Sequence, residues 1–463
     1  MNQNNSLLSK GNTISSHKKY RILFANVPAD GHFNPLTGLA KHLQQQGHDV
    51  RWYSASLYKE KIKKLKIAYY PFVKAMDVNG DNIDSLFPER AKIKGQVAKL
   101  NFDLINFFIL RSTEYLEDIQ EIHNSFPFDI MICDVAFSAI PFVKEVMRIP
   151  VVSVGVFPLM ETSKDLAPTG LGLTPASNFF NKLRQNALHI IADTILFKKP
   201  NKIMHNLLKQ YGINGSKSNV FDLLVKKSSL VLQSGTPGFE YKRSDLGKNI
   251  RFIGPLLPHT PYVKEPWFDE RLNRYEKVVL VTQGTVEKDF EKIIVPTLEA
   301  FKNSKEHLVV VTTGGSRTME LKVRYPFANI IIEDFIPFSH VMPYTDVYVT
   351  NGGYGGVMLG IQNQLPLVVA GVHEGKNEIN ARIGYFNLGI NLNTENPLPN
   401  QVKLAVEKVL SDDIYRKSIT ALAKEFEQHD PHELCETYID ELVNQEYLNS
   451  LVPLGKETIR VSA

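Results

Sequence analysis

Val347-Tyr-Val-Thr350-Asn351-Gly-Gly-Tyr-Gly-Gly356 is a short apolar run that passes through a glycine-rich turn into residues with helix-like spacing. Glycine carries no Cβ and accepts positive φ, so such a turn lets the backbone approach an anion closely. The unpaired N–H groups at the start of the following helix, reinforced by its dipole, then point at negative charge. Tight strand-to-helix turns also use glycine for packing alone, with nothing bound. On either reading the stretch is the strand–turn–helix joint of an α/β sheet.

The same rhythm runs through the rest of the chain. Arg21-Ile-Leu-Phe-Ala-Asn-Val27 has strand length, Leu36, Leu39, Ala40 and Leu43 recur at helical spacing until Gly47, and Val50 to Ser54 follows as a strand. That is a βαβ unit and predicts parallel pairing. Asp129-Ile-Met-Ile-Cys133, a helical stretch from Phe137 to Met147, and Val151 to Gly155 predict another. Residues 160–225 show helices and loops without strand rhythm, and Arg251 to Pro255 closes the first half. A proline-rich connector follows, stiff by composition.

Beyond it, strands are predicted at 277–282, 308–312, 330–332, 347–350, 367–370 and 390–392, with helices such as 290–302 and 402–410 between them. Leu434, Tyr438, Ile439 and Leu442 share one face of a final helix. The expected organisation is a leader at 1–18, a first half at 19–255, a connector at 256–270, a second half at 271–430, a closing helix at 431–450 and a tail at 451–463. Two such halves would face each other across a cleft, with ligands at the carboxyl ends of the strands.

A chain of 463 residues with 43% hydrophobic and 22% charged residues reads as a soluble protein of two or three domains. A net charge of +4 makes no case for nucleic acid. No apolar run reaches the length that crosses a bilayer, and the first residues lack the apolar core of a secretory signal, so the cytoplasm is the expected location. Cys133 and Cys435, far apart, make neither a disulfide framework nor a zinc site. Lys59-Glu-Lys61-Ile-Lys63-Lys64-Leu-Lys66 predicts a solvated helix face, a membrane-surface contact being the weaker alternative. No Cys/His cluster has ligand spacing, and the nucleotide-hydrolysing phosphate loop and the G-x-S-x-G turn are absent. No metal site is expected.

Val27-Pro-Ala-Asp-Gly-His32-Phe-Asn-Pro35 follows the first strand, with Pro35 expected to open the helix. His32 would sit in that loop, facing the cleft, with a side chain able to take a proton near neutral pH. An imidazole acting as base needs its other nitrogen held by an acceptor. Asp134, at the end of the Asp129 to Cys133 strand, is placed for that, or else to cap the next helix. Asp30 is a competing partner, and Asp129 reads as a strand-start residue.

The glycine turn continues into Leu365-Pro-Leu-Val-Val-Ala-Gly371, His373-Glu-Gly-Lys376 and Asn380-Ala-Arg382. This segment resembles the donor-binding signature of family 1 nucleotide-sugar glycosyltransferases, HGG-x-[GN]-[ST], then G-V-P, D-Q and N-A-x-R. The chain is most similar to their bacterial natural-product and macrolide-type branch. The resemblance implies a GT-B fold, two Rossmann-like domains across a cleft. It also implies inverting, metal-independent transfer of a hexose from a UDP- or TDP-sugar co-substrate to a hydroxyl of a small apolar acceptor. The acceptor pocket would come from loops near residues 70–110 and 160–225. No cofactor is implied.

By the same resemblance, the loop at His32 matches G-H-x-x-P, whose histidine deprotonates the acceptor, and Asp134 matches the supporting aspartate. Gly284 and Thr285 match a turn whose hydroxyl and backbone approach the diphosphate. Phe335 corresponds to the ring that stacks on the base, and the backbone of Ile336 to the group that pairs with it. Asn351, in place of the usual histidine, with Gly352, Gly353, Gly355 and Gly356, would surround the phosphates, and Glu374 and Lys376 would face the sugar. Three departures stand out: Leu359 replaces a ribose-binding glutamate, Gly375 the sugar-binding aspartate, and Ile379 the usual asparagine. They leave room for two other readings, a GT-B sugar-nucleotide epimerase and a catalytically silent nucleotide-sugar-binding partner of another transferase.

Overall fold

The computed structural model describes residues 18–215, 218–260, 267–284 and 287–451, with side chains as far as residue 445. The expected leader, except Lys18, the expected tail beyond Leu451, part of the connector (261–266) and Thr285 lie outside them.

Among the described residues, thirteen strands form two sheets. The first joins β1 (Arg21–Ala25), β2 (Asp49–Ser54), β3 (Ala68–Pro71), β4 (Ile130–Asp134), β5 (Val151–Gly155), β6 (Leu230–Ser234) and β7 (Ile250–Gly254) in the order β3-β2-β1-β4-β5-β6-β7. The second joins β8 (Lys277–Thr282), β9 (His307–Thr312), β10 (Ile330–Glu333), β11 (Val347–Thr350), β12 (Leu367–Val369) and β13 (Gly389–Asn391) in the order β10-β9-β8-β11-β12-β13. Every pairing between named strands is parallel.

Helices cover both faces of each sheet, which is why the central strands are apolar throughout instead of alternating. In the first half Trp52, Phe33, Leu36 and Ile132 pack on one face and Tyr53, Leu116, Ile119 and Met131 on the other. Each sheet runs outward in both directions from its first strand. The order therefore reverses between β1 and β4, and again between β8 and β11, and crevices for ligands open at such reversals. The Asp134 strand end sits at the first of them, and the glycine-bearing turns after β8 and β11 at the second.

Two strands have no counterpart in the sequence reading. β3 is a four-residue edge strand behind the lysine run, and β6 is fully buried next to β5. In that run Ile62 and Leu65 turn inward while the lysines stay exposed, Lys61 pairing with Asp30 at 2.8 Å. The Pro431–Leu451 helix returns to the first half, burying Cys435 and Ile439 with Leu434, Tyr438 and Leu442 alongside, against the core beneath the Asp30–Gln45 helix. Both cysteines are free and buried. Burial pushes the Cys435 thiol up to about 12 and that of Cys133 well above its ordinary value, so both stay protonated. Among the described residues, no helix is long and apolar enough to cross a membrane.

Candidate active site

At the reversal of the first sheet, β1 feeds the Asp30–Gln45 helix. The helix begins five residues earlier than expected: Ala29 is its N-cap, and Asp30 in the first turn complements the dipole. His32 therefore stands on the first helical turn and not in a loop, and Pro35 lies inside the helix, where its missing N–H forfeits the bond to the Gly31 carbonyl. A helix holds a side chain at a fixed angle, which a loop does not.

His32 Nδ1 lies 2.8 Å from Asp134 Oδ1. The Asp134 side chain is fully buried and tied down twice more, with Oδ2 accepting the Val27 N–H at 2.7 Å and Oδ1 that of Ala136 at 3.0 Å. A carboxyl group accepting from two backbone donors assigns the third proton to Nδ1 and leaves Nε2 as the basic nitrogen. The His32 ring keeps one-fifth of its surface exposed and meets the Phe157 ring edge-on at 5.7 Å. Asp134 does not cap the next helix, and His32 Nδ1 faces Asp134, not Asp30. The next helix starts at Ile140 with Ala139 at its N-cap, and Asp30 is engaged by Lys61. Asp129 is a strand-start residue, bonded to the Arg21 backbone and side chain.

In the second half, the turns at the carboxyl ends of β8 to β12 converge. Gly284 has φ +77° and faces the Asn351 amide. Asn351 donates that amide to the Gln283 carbonyl and accepts the Gly353 N–H at 3.3 Å, so it pins together the two turns at the reversal of the second sheet. Gly353 caps the Tyr354–Gln362 helix, and a Cβ on Gly355 would meet nothing within 4 Å, leaving the first turn open to an incoming group. Phe335 is 69% exposed, so it is no core residue, whereas Ile336 beside it is buried. The Phe335 ring lies over Gly315, which has φ +81° and whose Cβ would come 3.2 Å from it. The Thr313-Gly-Gly-Ser316 turn escaped the sequence reading, although it repeats a glycine pair behind a strand.

The described chain thus places an imidazole–carboxylate pair and a glycine-lined crevice on two facing Rossmann-like sheets. The profile of the family described as UDP-glucoronosyl and UDP-glucosyl transferase matches residues 117–433. The chain belongs to this family. It is 31% identical to 4'-demethylrebeccamycin synthase of Lentzea aerocolonigenes, over 89% of this chain and 96% of that protein. It is 28% identical to UDP-glycosyltransferase 2 of Phaeomoniella chlamydospora, over 93% and 97%. A solved structure of the glycotransferase of kitacinnamycin superposes with a TM-score of 0.71 at 17% identity, covering 92% of this chain and all of that one. The chain is a nucleotide-sugar-dependent glycosyltransferase of the GT-B fold.

In this glycosyltransferase the Asn380-Ala-Arg382 segment binds the halves together. Arg382, on the Lys376–Tyr385 helix, is buried and reaches Glu240 of the first half at 2.9 Å and Glu378 at 3.1 Å, with its guanidinium 4.3 Å from the Tyr241 ring. Burial works against its charge, but the two carboxylates outweigh it and hold the guanidinium pKa above the usual value. Glu378 also accepts the N–H groups of Gly170 and Gly172 at 2.9 and 2.8 Å. Glu240 accepts the Leu159 N–H at 2.9 Å. No sequence signal within the first half marks Glu240.

Glu374 and Lys376 pair with each other at 2.6 Å, flanking Gly375 at φ +77°. Asn380 donates to the Gly371 carbonyl at 2.9 Å and fills the space beside Gly352, where a Cβ would fall 1.8 Å from its Oδ1. Gly352 also has φ +85°. Gly352→Ala therefore adds left-handed strain to a clash and is expected to destabilise the protein by about 2–3 kcal/mol. Urea unfolding checks this; a loss under about 0.5 kcal/mol would show that the turn yields.

Proposed function

We propose that this glycosyltransferase moves a hexose from a UDP- or TDP-sugar to a hydroxyl of a small apolar acceptor, with inversion at the anomeric carbon. The observation that carries the reading is the 2.8 Å contact between His32 and the buried Asp134. The acceptor oxygen attacks the anomeric carbon, its proton passes to His32 Nε2, and the bond from that carbon to the diphosphate oxygen breaks. Asp134 holds the ring and offsets the imidazolium charge. The leaving diphosphate gains charge, which the N–H groups at the start of the Tyr354–Gln362 helix, in the crevice held by Asn351, stabilise.

Phe335 serves as the platform for the base, with Ile336 presenting backbone to its edge. Phe335→Ala is expected to weaken nucleotide binding by about 1–3 kcal/mol with the fold intact, since the ring is exposed; unchanged affinity by calorimetry would remove it from the site. Exposed Val73, Met76 and Leu171, on the two loop regions expected to form the acceptor pocket, favour an apolar acceptor. Gln96 reaches within 3.5 Å of His373 across the cleft.

The test is transfer itself. The purified protein is mixed with UDP- and TDP-hexoses and a pool of phenolic and macrolide acceptors, and free nucleotide is read beside product mass. A sugar-sized mass gain that survives EDTA is expected. Loss of activity in EDTA would contradict the metal-independent route, and nucleotide-sugar binding without release or transfer would favour the silent partner.

A further inference from the structure

The Phe179–Ile191 helix is built inside out. Its protein-facing side carries Gln185, buried with its amide donating to the Thr174 carbonyl at 3.2 Å, and His189, whose Nε2 lies 2.8 Å from the Leu166 carbonyl. Its outer side carries Phe179, Phe180, Leu183 and Ile190, which are 75%, 78%, 59% and 65% exposed, and Ile195 just beyond is 68% exposed. Phe179, Leu183 and Ile190, four and seven residues apart, fall on one stripe, with Phe180 beside it. An apolar stripe of this size turned to water marks a contact surface. It continues sideways: Asn101 donates to the Leu196 carbonyl at 2.6 Å, bringing the Gln96–Asp103 helix with its exposed Val97 and Leu100 alongside.

The charge along the stripe is predominantly positive. Lys182, Arg184, Lys198, Lys199 and Lys202 stand along residues 177–202, against the single acid Asp193. Lys198 and Lys202 also line a shallow hollow of about 380 Å³ at the end of the stripe, with His205, Asn201 and the acid Asp193. A second copy of this chain docked through a twofold axis would set the same cationic rim against itself. Apolar side chains rimmed by lysine and arginine instead fit the interface of an anionic bilayer, the lysines meeting phosphates while the phenyl and isoleucine groups enter the acyl boundary.

We propose that this face docks the protein on membranes containing anionic phospholipid, the helix lying in the interface plane without crossing it. The proposal rests on the exposed face and is independent of the chemistry assigned to His32. It places membrane contact away from the Lys59 to Lys66 run.

The full chain is sedimented with vesicles of phosphatidylcholine alone and of phosphatidylcholine mixed with phosphatidylglycerol. The expected result is binding to the mixed vesicles, weakened by salt. Phe179→Ser/Phe180→Ser/Ile190→Ser should lower that binding at least about 10-fold. Lys198→Glu/Lys202→Glu, which leaves the apolar stripe whole, should lower binding to the mixed vesicles by a similar factor. Circular dichroism checks that both variants fold. Wild-type protein that ignores the mixed vesicles, or variants that bind as wild type does, would overturn the proposal. So would a dimer in size-exclusion that the triple variant breaks, with no vesicle binding.

Discussion

His32→Ala is expected to lower kcat by about 100- to 10,000-fold while nucleotide affinity stays near wild type. The loss would correspond to about 2.7–5.4 kcal/mol of transition-state stabilisation. The ring belongs to the first half, whereas the crevice expected to hold the nucleotide is built from turns after β8 to β12, so removing it takes away the proton acceptor and leaves that crevice untouched. Asp134→Asn should follow for a different reason. Asp134 accepts from Val27, Ala136 and His32 together, and an amide in its place turns one accepting oxygen into a donor. Either a backbone N–H loses its partner or Nδ1 is forced to accept, which moves the proton to Nε2 and blocks the base. Single-turnover kinetics with a fluorescent nucleotide titration separate the two effects. Normal turnover by His32→Ala would remove the catalytic assignment, and lost nucleotide affinity would show that the residue supports the fold instead.

Arg382→Ala has the largest expected effect on stability, about 3–5 kcal/mol, because it leaves buried Glu378 without its ion pair and Glu240 with only the neighbouring Arg243. Glu240 and Glu378 are both nearly inaccessible, so water cannot take over from the guanidinium. The damage also reaches the cleft, since Glu378 holds Gly170 and Gly172 and Glu240 holds Leu159. Arg382→Lys should recover little, as one ammonium cannot span both carboxylates and lie over Tyr241 as the planar fork does. Thermal and urea unfolding measure the loss. A change under about 1 kcal/mol would mean that the halves open enough to solvate both acids.

Much of this fold is legible in the residues. β5, β8 and β11 are continuous apolar runs ended by turn residues, and their bounds follow from that alone. The positions of the glycine turn after β11 and of Asp134 at strand ends were legible because apolar runs stop there, and a parallel sheet gathers its ligand groups at such ends. What stayed hidden has physical reasons. β3 is an edge strand of mixed exposure behind a charged helix, so no apolar run announces it. The early start of the first helix at Asp30 was masked by Pro35, which favours the opening position but here sits inside. Phe335 stands among apolar neighbours, so only its motif position marks it as a candidate platform; its exposure beside Gly315 comes from the surrounding turns. The Arg382–Glu240 pair joins residues 142 apart, and such a contact has no local signature.

The measurement that bears most directly on the direct-displacement chemistry assigned to His32 and Asp134 is the anomeric configuration of the glycoside formed from an α-linked nucleotide sugar, read by proton NMR before any equilibration. Direct displacement by an acceptor hydroxyl predicts the β-anomer alone, while an α-glycoside would contradict it.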